Sequence, residues 1–487
     1  SGKIAVATVT YGAGFTNSLT ALTEAAKARI PMVLVVGEAP TAGARPWDID
    51  QLMVARGLGV HTLTVAAGNA ERLTEEAWST ARNERRPVIV SIPYDLANEA
   101  AGPQEQAVPR QPSDRVQPDP GAVERVAALL NRARRPLILA GNGAVISGAG
   151  TALVELGDKI GALFATSLMA RNYLDTSWDL GIAGGFALMA PLHLMRSADL
   201  VIVAGASLNA FQTRYGSLFA EDAEVIQIDA ADSPTNPRVS RFIQADARET
   251  AVALTAAVSA VEDGWRTQHP EVAAPTFAVD PAAEEFAPDG RLNPRAVAQQ
   301  LDAVLPRNRT IVQDGGHFCG WIPMYCQAPD PQGLMMVGTA FQSIGLGIPA
   351  AVGAAVARPD RTTVLIAGDG GALMALADLE SAVRAIPSGI MVVFNDAAYG
   401  AEVHQYAARG LDDTAMQIPE VDFSALGRAM GAQGVKMRSL DDLSVLEKWL
   451  ADGAEGLFVL DVAVTQSEVA DYMRESMAPI LAAASAG

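Results

Sequence analysis

A chain of 487 residues is too long for one ordinary domain and predicts about three. With 49% hydrophobic and 19% charged residues, it reads as globular and well packed, not disordered. The net charge of −19 argues against the basic face that a nucleic acid wants and against a polybasic membrane anchor, so neither partner is expected.

The two cysteines, Cys319 and Cys326, allow at most one disulfide and make no zinc-binding pattern with histidine, which fits a reducing cytoplasm. No uncharged apolar run reaches the roughly 18 residues of a membrane-spanning helix. No secretory signal is visible.

Along the chain, short runs rich in Val and Ile alternate with longer helical stretches. The first runs are 4–10, 32–37 and 88–93. Residues 101–120 follow, rich in proline, glutamine and aspartate, and read as a linker. The next runs are 136–141, 200–205 and 225–229, and a second proline-rich linker spans 267–293. The last are 310–314, 363–367, 390–394 and 457–462. Runs of this length without polar alternation predict buried parallel strands. Helices between them predict an α/β fold of three doubly wound parallel-sheet domains, at about 1–100, 119–266 and 291–487.

Chemistry concentrates in the third segment. Gly368-Asp369-Gly370-Gly371 follows the run 363–367 and precedes a helical stretch. Glycines let backbone approach an anion, and a helix N-terminus points N–H groups at it. A carboxylate in that position repels phosphate unless a cation lies between, so Asp369 predicts a divalent metal, with magnesium the natural choice. The plain alternative is an ordinary strand-to-helix turn. A second run, 390–394, ends in Asn395-Asp396-Ala397-Ala398-Tyr399-Gly400. Neighbouring parallel strands bring their C-terminal ends together, so Asp369 and Asp396 can share one metal. The plain reading of Asn395-Asp396 is a solvated turn.

Gly368-Asp369-Gly370, followed after about 25 residues by Asn395-Asp396, resembles the thiamine-diphosphate fingerprint of the acetolactate synthase, benzoylformate decarboxylase and benzaldehyde lyase superfamily. The resemblance implies thiamine diphosphate and Mg2+ as cofactors, with Asp369, Asp396 and the carbonyl of Ala398 as metal ligands. It also implies cofactor contacts from Gly316, His317, Gly368, Gly370, Gly371, Tyr399, Gly400 and Ala401. The family often has Asn where Asp396 stands, so this chain places an extra negative charge beside the diphosphate. The stretch 338–351 resembles the segment before the fingerprint. There Ile344 is expected to wedge between the cofactor's rings and hold it bent, and the Gln342 carbonyl to accept from its aminopyrimidine. Ile344 is expected to be buried whether it is a wedge or plain core. Asp314-Gly315-Gly316-His317 resembles the loop over the diphosphate, where His317 would donate to phosphate; otherwise it is a surface-loop histidine.

Residues 10–17 resemble the glycine-rich turn of the pyrimidine-binding domain, and 86–93 its last strand. Residues 140–144 and 198–205 resemble the central Rossmann-like domain, which binds FAD in some members and nothing in others; FAD is possible but not indicated. The family's catalytic glutamate lies before the strand that is here 4–10. The expectation is therefore a first domain that is N-terminally incomplete as given, with roughly 60–80 further residues upstream on the domain-size rule. Ala401, Glu402, His404 and Gln405 are expected to open a helix facing the reactive carbon, with Glu402 and His404 as acid–base candidates or simply a solvated face.

The expected function is carbon–carbon bond formation or cleavage on a 2-oxo acid or related carbonyl compound by an acetolactate-synthase-like carboligase. A 2-oxo-acid decarboxylase or 2-hydroxyacyl lyase on the same scaffold is the alternative. From other classes come a non-catalytic homologue and an NAD-dependent dehydrogenase; against the latter, no strand leads into Gly-x-Gly-x-x-Gly with an acidic residue about 20 further on. The resemblance also implies a homodimer or homotetramer whose sites are shared between subunits.

Overall fold

The computed structural model describes residues 3–111, 114–262 and 264–475. Among the described residues, sixteen strands form three sheets, and every strand pair within them is parallel. The first holds β1 (Ala5–Val9), β2 (Met32–Glu38), β3 (His61–Thr64) and β4 (Pro87–Pro93), in the order β1-β2-β4-β3. The second holds β5 (Pro136–Ala140), β6 (Leu163–Thr166), β7 (Asp179–Ile182), β8 (Leu200–Ala204), β9 (Glu224–Asp229) and β10 (Arg241–Gln244), in the order β10-β9-β8-β5-β6-β7. The third holds β11 (Arg309–Gln313), β12 (Leu334–Met336), β13 (Thr362–Gly368), β14 (Ser388–Asn395), β15 (Gln433–Met437) and β16 (Gly456–Ala463), in the order β12-β11-β13-β14-β16-β15. Parallel neighbours require crossovers, and helices supply them, so the α/β class with three parallel sheets is observed.

All ten predicted strands are present. Six others escaped the sequence pattern, and five of these, β3, β7, β10, β12 and β15, lie at sheet edges. Edge strands face solvent on one side, so sequences such as HTLT and RFIQ carry no continuous apolar run. One predicted strand is corrected in its burial. β1 is an edge, mostly exposed, with Val6 58% accessible, not a buried strand.

The chain divides into two compact units, Ser1–Asp114 with Val337–Leu346, and Arg115–Met336 with Gly347–Gly487. The second and third sheets thus share one unit. Within it, Gly141 after β5 lies against the turn after β8: a Cβ at Gly141 would stand 2.2 Å from the Gly205 carbonyl oxygen. The Gly143 N–H donates to that same oxygen at 2.9 Å. The glycines of 140–144 therefore serve close backbone packing between strand ends. Among the described residues, no helix is long and apolar enough to cross a membrane.

Candidate active site

β13 and β14 are direct neighbours, with Gly368 opposite Phe394, so their C-terminal ends open side by side. β14 is central and almost wholly buried because its run is apolar throughout. The chain leaves β13 at Gly368 in extended backbone and turns at once into the helix Asp369–Met374. Asp369 lies in the first turn of that helix, as the glycine-rich pattern predicts, and is 3% exposed. Its Oδ1 accepts the Gly370 N–H at 2.9 Å and its Oδ2 the Ala398 N–H at 3.1 Å.

Asp396 lies beside it, 9% exposed. Burial, followed by the neighbouring Asp396 charge, holds the Asp369 carboxyl well above the ordinary carboxylate range. Burial raises Asp396 too. Two buried carboxyls at hydrogen-bond range cannot both ionise cheaply without a cation. Among the described residues, no three His, Cys, Asp or Glu side chains converge as metal ligands. Further ligands must then be backbone, cofactor or water oxygens, the donor set a magnesium ion prefers. The residues fit such an ion. Gly400 keeps the space clear, since a Cβ there would lie 2.5 Å from Asp396 Oδ2.

The loop after β14 is pinned from several sides. The Ile418 N–H donates to the Ala397 carbonyl at 2.9 Å, and the Tyr399 N–H to the Met416 carbonyl at 2.8 Å. Gln466 Nε2 donates to the Asp396 carbonyl at 2.8 Å. Ala397 takes φ 59°, a costly value for a residue with a Cβ, and these bonds hold it there.

Below the loop is a buried group that the sequence pattern missed. Asp461, on β16, is fully buried and accepts from Asn395 Nδ2 at 2.8 Å and from the Phe423 N–H at 3.0 Å. Lys436 Nζ stands 3.7 Å away. A lone charge in the apolar stretch 457–462 was the available signal. Asp314 is likewise buried, and its Oδ2 accepts the Gly347 N–H at 3.2 Å.

His317 is buried, not a surface-loop residue. Its Nε2 accepts the Ala470 N–H at 3.1 Å, so that nitrogen cannot donate, and only Nδ1 is left for a phosphate. Burial, with His404 and Arg474 adding to it, pushes its pKa down to about 3. The His404 ring lies against it at 4.4 Å between centroids. His404 Nε2 is buried with no hydrogen-bond partner in the structure. Glu402 is exposed on the same helix, Gly400–Tyr406. Two residues apart on a helix face different ways, so the two acid–base candidates are separated.

Gln342 and Ile344 belong to the other unit, in the turn Val337–Leu346. Gln342 is exposed and has φ 63°. Ile344 is only half-buried, which corrects the expectation of a buried residue: it sits in a turn, off any sheet or helix face.

The chain matches three family models: "Thiamine pyrophosphate enzyme, N-terminal TPP binding domain" over residues 1–66, "central domain" over 123–254, and "C-terminal TPP binding domain" over 314–462. It is 29% identical to a sulfoacetaldehyde acetyltransferase of Rhodobacter capsulatus, over 98% of this chain and 86% of that protein. It is 28% identical to a putative acetolactate synthase large subunit of Mycobacterium tuberculosis, over 95% and 87%. It is 27% identical to a probable 2-ketoarginine decarboxylase of Pseudomonas aeruginosa, over 93% and 81%. The fold is similar to that of a benzoylformate decarboxylase crystal structure from Polynucleobacter necessarius, with a TM-score of 0.79, 20% identity, and coverage of 96% and 88%.

Proposed function

Because the chain belongs to the thiamine pyrophosphate enzyme family, we propose that it is a magnesium- and thiamine-diphosphate-dependent enzyme acting on a 2-oxo acid, with acetolactate-synthase-like carboligation as its reaction. The observation that carries this reading is the buried pair Asp369 and Asp396 at adjacent strand ends beside a glycine-rich helix start.

Asp369, Asp396 and the Ala398 carbonyl hold the magnesium. The backbone of Gly316, Gly368, Gly370 and Gly371 surrounds the diphosphate, with His317 Nδ1 as a neutral donor. Tyr399, Gly400 and Ala401 close the loop around it. The Gln342 carbonyl and the Ile344 side chain orient the aminopyrimidine. Thiamine diphosphate, when bound, supplies the nucleophilic carbon and the electron sink. His404 is the group that holds or moves a proton, because its Nε2 is desolvated and uncommitted. Sites shared between subunits make the working form a homodimer or homotetramer, and the location is cytoplasmic.

The test is turnover of pyruvate by the purified protein with magnesium and thiamine diphosphate, with product analysis. A carbon–carbon coupled product is expected. Aldehyde and carbon dioxide alone would assign a decarboxylase instead. Failure to bind thiamine diphosphate would sink both.

A further inference from the structure

Glu24 is a carboxylate in a place that calls for explanation. It lies on the helix Leu19–Lys27, in the full turn of buried residues Leu22, Thr23, Glu24 and Ala25, and is 8% exposed. A buried carboxylate survives only where its oxygens are satisfied. Here two successive backbone amides do so: the Ala340 N–H donates to Oε1 at 3.2 Å and the Phe341 N–H to Oε2 at 2.7 Å. Consecutive N–H groups aimed at one point form a small anion-binding concavity, and Glu24 fills it from within the same compact unit.

The turn that Glu24 grips is Val337–Leu346. It has no strand or helix of its own. The Ser343 N–H closes it onto the Gly338 carbonyl at 2.9 Å, and Gln342 Nε2 donates to the Thr339 carbonyl at 2.7 Å. Gln342 pays a steric cost at φ 63°, which a turn keeps only if its neighbours are held. Charged acceptors make stronger hydrogen bonds than neutral ones, so the carboxylate is a firm tie for the turn.

We propose that Glu24 is the positioning residue for this turn: by clamping the amides of Ala340 and Phe341, it sets where the Gln342 carbonyl and the Ile344 side chain meet the aminopyrimidine. Glu24 touches neither cofactor nor substrate. The proposal rests on the functional reading above, and the experiment separates the two.

The test compares the full chain with Glu24→Gln. The amide isostere keeps the size but turns an NH2 toward one of the two N–H donors. Calorimetry with magnesium measures binding of thiamine diphosphate and, separately, of inorganic pyrophosphate, which engages only the diphosphate loops. Hydrogen exchange reads the amides of Ala340 and Phe341 without cofactor. The expected result is thiamine diphosphate affinity lowered by roughly tenfold or more, unchanged pyrophosphate affinity, and faster exchange at both amides. Equal loss of both ligands overturns the proposal, as does unchanged exchange, or faster exchange with unchanged thiamine diphosphate affinity. A wild-type chain that binds pyrophosphate and not thiamine diphosphate sinks the functional reading instead. If Glu24→Gln does not fold, Glu24→Asp, whose carboxylate is one methylene short, decides by the same readouts.

Discussion

The loop 396–400 leaves a strand paired on both sides, β13 and β16, and its backbone is tied down within a few residues of the strand end. The turn Val337–Leu346 follows β12, a three-residue edge strand, and besides its own internal bonds is held by a carboxylate more than 300 positions earlier in the chain. The first loop gets its shape from the sheet that launches it. The second gets its shape from a side chain on a different element. A loop of the first kind is sensitive to changes at its own residues, and one of the second kind to a change at a distant residue.

The largest expected effect is at the sheet-borne loop. Asp369→Ala removes one of the two carboxylates and the anchor of the Ala398 N–H, so magnesium-dependent binding of thiamine diphosphate should be lost. Calorimetry measures this, and unchanged affinity would remove Asp369 from the metal site.

Next comes the turn. Ile344→Ala should cost less stability than the ~2–5 kcal/mol of a fully buried site, because Ile344 is only half-buried. Turnover per folded molecule should drop more, since a relaxed cofactor no longer holds its reacting groups in place. Thermal melting set beside kcat separates the two effects; normal kcat with lowered stability would make Ile344 ordinary packing.

A smaller effect distinguishes the loops by pH. The Asp369 and Asp396 carboxyls both have folded pKa values raised mainly by burial. The folded state then binds more protons than the unfolded state above about pH 4, so metal-free stability should fall as pH rises into the neutral range. Magnesium with thiamine diphosphate should flatten that slope. Melting curves across pH, with and without both ligands, check it. A metal-free protein that gains stability with rising pH over that range would contradict the buried pair.

The smallest expected change is at Asp396→Asn. An amide oxygen can still face the metal, and one negative charge beside the diphosphate is gone. Cofactor affinity should hold or rise, and the metal-free pH slope should shrink. A loss beyond about tenfold, roughly 1.4 kcal/mol, would show that the second carboxylate is required.

Much of the site was legible in the sequence because it sits where two apolar runs end. Asp369 and Asp396 each follow a buried strand directly, and adjacency of β13 and β14 follows from parallel winding. His404 and Glu402 were not separable by spacing alone; helix phase against the packed His317 ring distinguishes them. Glu24 gave no local sign, since an acidic residue on an amphipathic helix reads as a solvated one. Asp461 stood out only as a charge in an apolar strand.

Apolar runs of the right length, glycine at the strand ends and carboxylates beside that glycine were enough, by themselves, to set the α/β class, every inner strand but β6, and the carboxyl pair Asp369 and Asp396 as the candidate site. These are short-range properties, written in consecutive residues. The edge strands other than β1, the commitment of His317 Nε2 to Ala470, and the grip of Glu24 on Ala340 and Phe341 were decided only by tertiary structure. Each joins groups far apart in the chain, and a hydrogen bond across such a separation leaves no periodicity in the sequence from which to read it.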